Sequence, residues 1–402
     1  MKRKFIILPF LIVSILAPLT FLGQSATRDV RFEFCGEIIE FQLDEASIID
    51  FKGPLSQESI LAFYEAIHST NYESLTKALL GYKEKHKPDD WLFYQLIRKT
   101  VQQLSPKAEN YERYTLYKWF FLLQLEYDAI LSIAKDKVLF YVQSDENIYN
   151  IPYRISNNKQ YVCLNYHDYG SIDFDQYKFA EVILPRVKSL RGFSYRVTQL
   201  PDFRPEDYQE RDIQFTYNNN EYHFKVKLNK QVQTLFANYP VLDYGNYFNI
   251  PLSKETYASL IPTLKKNIKG LNHKNGVDYL MRFTRYAFLY EKDSENFGKE
   301  KRLTPEETLL YEHSDCEDRA ALFFYLVKEI YNVPMIVLVY PTHVTVAVQF
   351  DKPIGHPIIY NGNKYYVCEP TPQKEDLLIG RSLPSLNKVS YEVAYSYTPK
   401  NK

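Results

Sequence analysis

A thiol, an imidazole and a carboxylate stand in order along one carboxyl-terminal stretch, as Cys316, His343 and Glu369. That set suits attack on an acyl carbon: sulfur is the nucleophile, a ring nitrogen carries its proton, and the carboxylate orients the ring. Ser314-Asp315-Cys316-Glu317-Asp318-Arg319 opens an apolar run from Ala320 to Val327, whose length and composition predict a buried helix. Ser314 or Asp315 can cap that helix, which puts Cys316 in its first turn. Unpaired N–H groups and the helix dipole there favour thiolate, lowering the Cys316 pKa. Glu317 and Asp318 oppose that shift, so the thiolate needs His343 as its counter-ion.

The elements that must position the other two residues can also be read. His343 precedes Val344-Thr345-Val346-Ala347-Val348, which alternates like a strand with one buried face. Ile358-Ile359-Tyr360 and Lys364-Tyr365-Tyr366-Val367-Cys368 flank Asn361-Gly362-Asn363, a hairpin signal because Asn-Gly tolerates positive φ at both turn positions. Glu369, followed by Pro370, closes the second of these strands. If the strands are antiparallel neighbours, Glu369 reaches the distal nitrogen of His343 and turns the other toward the thiol. Taken singly, a Cys is most often a small buried hydrophobe and a His a hydrogen-bonded bystander. The three together on one α+β segment are what point to a site.

Residues 311–372, through Ser-Asp-Cys-Glu-Asp-Arg, His-Val-Thr-Val-Ala-Val and Tyr-Val-Cys-Glu-Pro-Thr, resemble the core of the bacterial transglutaminase-like superfamily, relatives of papain-fold enzymes. The likeness extends more weakly upstream to the helical region from Lys254. It implies an α+β, transglutaminase-like or papain-like fold with a helix-start Cys packed on an antiparallel sheet. It also implies Cys316 as nucleophile, His343 as base and Glu369 as orienting acid. The family's third residue is usually Asp, so Glu369 departs by one methylene. The superfamily spans amide hydrolysis, amide exchange and inactive members, so the likeness leaves the substrate open.

With 402 residues the chain is long enough for two domains. Its 45% hydrophobic and 24% charged residues are those of a globular protein. Tyr (36) and Phe (26) are abundant against 2 Trp, a bias that a Tyr-rich genome explains as well as an aromatic groove does. Met1-Lys2-Arg3-Lys4 and the apolar run Phe5 to Gly23 match a secretory signal peptide over residues 1–25, cleaved after Ser25, although the run is nearly long enough to remain as an N-terminal anchor. Export to the periplasm, the cell surface or the medium is therefore expected, with no membrane span beyond the leader. Removing Lys2, Arg3 and Lys4 takes Lys+Arg from 49 to 46 against 49 Asp+Glu, and no basic block or finger spacing suggests nucleic acid. Cysteines at 35, 163, 316 and 368 include no Cys-x-x-Cys pair, so neither a metal nor another cofactor is expected. A Cys35–Cys163 disulfide stays open, as does the oligomeric state.

The order of elements recurs. Phe32 to Phe41 parallels Phe215 to Phe224 as strand pairs around a turn, and Pro54-Leu55-Ser56 parallels Pro251-Leu252-Ser253 at a helix start. Trp119 to Tyr127 matches Phe323 to Tyr331, and Asn158 to Cys163 matches Asn363 to Cys368, at offsets of 204 (331 − 127) and 205 (368 − 163). Residues 28–205 then read as a degenerate copy, with Glu112, the neighbourhood of Leu139, and Leu164 where residues 206–398 hold Cys316, His343 and Glu369; an unrelated α+β domain is the other reading. The boundary falls in Pro201-Asp202-Phe203-Arg204-Pro205-Glu206. Helices are expected near 253–269 and 275–290, a polar loop near 291–303, and a further helix from Thr304-Pro305. Two functions remain in contention: an exported thiol enzyme that cleaves or exchanges peptide or protein amides, with Tyr311 as a weak oxyanion donor, or a catalytically inactive relative binding a peptide or protein at the envelope.

Overall fold

The computed structural model describes residues 26–184, 190–290, 301–374 and 376–399. The expected signal peptide and most of the expected 291–303 loop lie outside them. The first half begins with an antiparallel hairpin, β1 (Thr27–Phe34) and β2 (Glu37–Asp44). Four helices follow: α1 (Gln57–His68), α2 (Glu73–His86), α3 (Asp90–Leu104) and α4 (Tyr111–Gln124). Strands β3 (Ala129–Ala134), β4 (Lys137–Gln143), β5 (Ile148–Tyr149), β6 (Tyr153–Ser156), β7 (Lys159–Cys163) and β8 (Ala180–Glu181) complete it.

The second half opens on the hairpin β9 (Gln209–Tyr217) and β10 (Asn220–Leu228). It continues through α5 (Gln231–Phe236), β11 (Val241–Leu242), α6 (Tyr244–Tyr247), α7 (Lys254–Asn267), α8 (His273–Tyr286) and β12 (Leu289–Tyr290). Then come α9 (Pro305–Leu310), β13 (His313–Ser314) and α10 (Cys316–Tyr331). The chain closes with β14 (Met335–Tyr340), β15 (His343–Gln349), β16 (Ile358–Tyr360), β17 (Asn363–Cys368) and β18 (Glu392–Tyr397). The fold is α+β, with ten α-helices among the described residues and two curled five-stranded antiparallel sheets.

The two sheets share a strand order, β6-β7-β4-β3-β8 and β16-β17-β15-β14-β18. Cys163 stands opposite Tyr141 and Cys368 opposite Val346, a shift of 205 residues on both strands (368 − 163 and 346 − 141). Two-residue turns close the hairpins in both halves: Cys35-Gly36 and Asn218-Asn219, then Asn157-Asn158 and Asn361-Gly362. All eight turn residues have positive φ, the backbone that matches the twist of paired strands. Ser56 caps α1 and Ser253 stands at the N-cap of α7, as the paired helix-start signals predict.

Helix α10 is the central strut of the second half. Asp315 caps it by accepting from the N–H groups of Glu317 and Asp318, while Asp318 reaches back to the Asp315 N–H. Asn332, at φ 50°, ends it in the left-handed conformation. Residues 318–327 are all buried because the helix packs against β15 on one side and α7 and α8 on the others. Each buried aliphatic or aromatic side chain there contributes about 1.5–3 kcal/mol. One hydrophobic core runs through both halves and joins α3, α4, α10 and the inner faces of both sheets. Four free cysteines are found, so no Cys35–Cys163 bond forms. Among the described residues no helix is long and apolar enough to cross a membrane.

Candidate functional site

Cys316 is the first residue of α10, and His343 the first of β15. β15 and β17 are antiparallel and in register from Gln349 opposite Tyr365 to Val346 opposite Cys368. One step further, Glu369 comes opposite Thr345, whose side chain shares a strand face with that of His343 two residues away. The carboxylate therefore meets the ring: His343 Nε2 lies 2.8 Å from Glu369 Oε2. Glu369 is 2% exposed, and its other oxygen accepts from the Thr371 N–H at 2.9 Å. With the carboxylate ionised, Nε2 must carry the ring proton and Nδ1 keeps the lone pair.

The thiol sits at the junction of α10 and β15. The Val344 N–H is close enough to the sulfur to favour thiolate, yet the net shift runs the other way, and Cys316 is pushed up to about 12. Burial is the largest cause, followed by the carboxylate of Asp315, with Glu317 and Glu369 adding to it. The expected lowering does not occur because the half-buried thiol is desolvated and the cap of this helix is an anion. Cys316 thus rests as a neutral thiol. The His343 ring makes one hydrogen bond among the described residues, to Glu369, and none to the sulfur.

Glu317 is partly neutralised by Arg302, whose Nε lies 2.6 Å from Oε2 and whose guanidinium stacks over the Tyr244 ring. The Tyr244 hydroxyl donates to Glu317 at 3.3 Å. Burial first, then Glu317, holds that hydroxyl protonated well above the usual tyrosine range, with Cys316 in the same field. Tyr244 thereby holds a neutral hydroxyl whose proton is donated to Glu317. The hydroxyl of Tyr311, the weak donor candidate from sequence, accepts from Lys301 Nζ at 3.1 Å.

Two buried arginines lock these pieces together. All five N–H groups of Arg319 go to backbone carbonyls: Ser314 at 3.4 Å, Thr284 at 3.0, Arg285 at 2.8, Phe288 at 3.0 and Leu289 at 2.8. Helix α10 is thus tied, one turn from Cys316, to the end of α8, where a cation also complements the helix dipole. From α8, Arg285 donates to the Glu369 carbonyl and to the Leu377 carbonyl at 3.1 Å, and pairs with Asp376. Cys316, α8 and the Glu369 backbone form one connected frame. Arg319 belongs to the sequence motif, whereas Arg285 was not singled out. Its signal was there to read: it falls on the apolar stripe of α8 with Val277 and Met281, where a charge needs a reason.

In the first half the same place is closed. Asn110 caps α4 as Asp315 caps α10, so Tyr111, not Glu112, stands where Cys316 does. The 205-residue shift puts Val138 rather than Leu139 at the position of His343, and Leu164 at that of Glu369. The Tyr111 hydroxyl donates to Asp168 at 3.0 Å and accepts from Asn165 at 2.8 Å, and Lys107 meets Asp168 at 2.5 Å. A satisfied structural network thus fills that space. No protein-family model, curated protein or solved structure matches the chain.

Proposed function

We propose that this chain is an exported cysteine hydrolase of the transglutaminase-like kind, acting on peptide or protein amides through a thioester on Cys316. The observation that carries the reading is the 2.8 Å His343–Glu369 bond, made at the strand mouth against which the first turn of α10 packs. In this reading Cys316 Sγ attacks the amide carbon while its proton passes to His343 Nδ1. The oxyanion falls toward the Cys316 N–H, which the Asp315 cap does not use, with the Tyr244 hydroxyl as a second donor once it turns from Glu317. The imidazolium returns the proton to the departing amine, leaving the thioester. Water then attacks, His343 takes its proton, and the acid leaves as Sγ is reprotonated. Because Cys316 starts as a thiol, His343 works as a general base in the attack rather than as half of a standing ion pair. An amine in place of water gives transfer, and hydrolysis is the default for an exported chain. Residues 28–205 are, in the same reading, a duplicated copy whose site has become structural.

A specific observation favours a second reading, a binding protein that keeps the frame without the chemistry: the thiol is raised and has no bond to the imidazole. One experiment separates the two. A peptide-like thiol-reactive probe should label the purified chain at Cys316, Cys316→Ala should abolish labelling with the fold intact, and His343→Ala should slow it by about 10²–10⁴-fold near neutral pH. Labelling no faster than that of free cysteine, or a rate indifferent to His343, leaves the binding reading in place.

A further inference from the structure

The seam between the halves holds a cavity of about 670 Å³ that the chemistry at Cys316 does not use, a volume in the range of small-molecule sites. The end of β1, the outer face of α3 and the region of α5 form its walls. Arg98 and Lys99, successive on α3, bring two cations to it, and Glu33 brings a carboxylate. Among the described residues none of the three has an ion-pair partner within 4.0 Å, so opposite charges line one cavity without meeting. Glu33 spends one oxygen on the Gly36 N–H at 2.6 Å.

Gln95, also on the wall, is 8% exposed. Its Oε1 accepts from Arg98 at 2.8 Å, while its buried Nε2 has no partner among the described residues. Unpaired buried donors are costly and rare in native folds. Phe34 and Leu235 supply apolar wall to the same cavity. A lone anion would satisfy the cations but face Glu33, whereas a ligand bearing both a carboxylate and an ammonium complements the whole set.

We propose that this cavity binds a free α-amino acid with an apolar side chain. Its carboxylate meets Arg98 and Lys99, its ammonium meets Glu33, and its side chain lies against Phe34 and Leu235. The test is calorimetric titration of the purified chain with leucine and phenylalanine, and with the N-acetyl and amide derivatives of each. At least one free amino acid binds saturably, and both of its derivatives bind weaker by about tenfold or more, each having lost one charge-assisted contact. Arg98→Gln and Lys99→Ala weaken the free amino acid by a similar factor, and Glu33→Gln removes the preference for it over its N-acetyl form. Lys99 is exposed, so its variant carries the test even where Arg98→Gln lowers the melting temperature. No saturable binding of either amino acid up to about 10 mM, or equal binding of the charged and derivatised forms, overturns the proposal.

Discussion

A thiol at a helix N-terminus is ordinarily acidified, and Cys316 shows what reverses the rule. The dipole acts weakly against burial and against the cap's own carboxylate, so an element that signals reactivity in the sequence holds a protonated thiol in the fold. The types and order of Cys316, His343 and Glu369 could be read because strand alternation and a turn signal place the last two on neighbouring strands. The charge balance could not, since it depends on how deeply each group is buried. Glu306 makes the same point. In the first turn of α9, it is fully buried and accepts from the Ser253 N–H and hydroxyl and from Thr256. Burial raises its pKa from 4.5 to about 7, so between those values the folded chain holds a proton that the unfolded chain has released. Stability therefore falls as pH rises through that window, by up to about 1.4 kcal/mol per pH unit. Glu306→Gln stays neutral, so its denaturant midpoint should gain over wild type from pH 5 to 7. Parallel pH profiles for the two proteins would refute the assignment.

At the scale of elements, hairpins, capped helices and the apolar α10 were legible, since turn chemistry and caps are local. What joins them was not. Four of the five carbonyls taken by Arg319 come from the end of α8 and the residues just after it, about thirty residues upstream, and sequence periodicity carries no information about such partners. The cap of α10 offers a test in which two effects separate. Asp315→Asn keeps the side-chain acceptor for the Glu317 and Asp318 N–H groups and removes the charge next to the thiol. Its stability should stay within about 0.5 kcal/mol of wild type, while the alkylation of Cys316 by iodoacetamide shifts to lower pH. Asp315→Ala makes the same shift but loses about 0.5–2 kcal/mol with the cap. Alkylation profiles that coincide in all three proteins would show that the Asp315 charge does not set the thiol.

For the molecule as a whole, the recurrence read from short aromatic and turn motifs corresponds to two sheets of one strand order, while the boundary near residue 201 marks no break in packing. Local motifs reveal repeated architecture, but a shared core is made by side chains that meet across the seam. Strand β5 of the first half pairs with β11 of the second, and the Tyr239 hydroxyl donates to the Tyr195 carbonyl at 2.6 Å. Trp91 adds a fully buried link: at 2% exposure, its indole N–H donates to the Leu235 carbonyl at 2.9 Å. Trp91→Phe keeps much of the apolar volume but leaves that carbonyl without its donor, at a cost of about 1–3 kcal/mol. In a chain whose halves folded separately, the loss would leave two melting transitions and shift the first half most. With one core through both, calorimetry should instead record a single transition for wild type and variant alike, displaced as a unit to lower temperature, because the first half cannot loosen without uncovering the second.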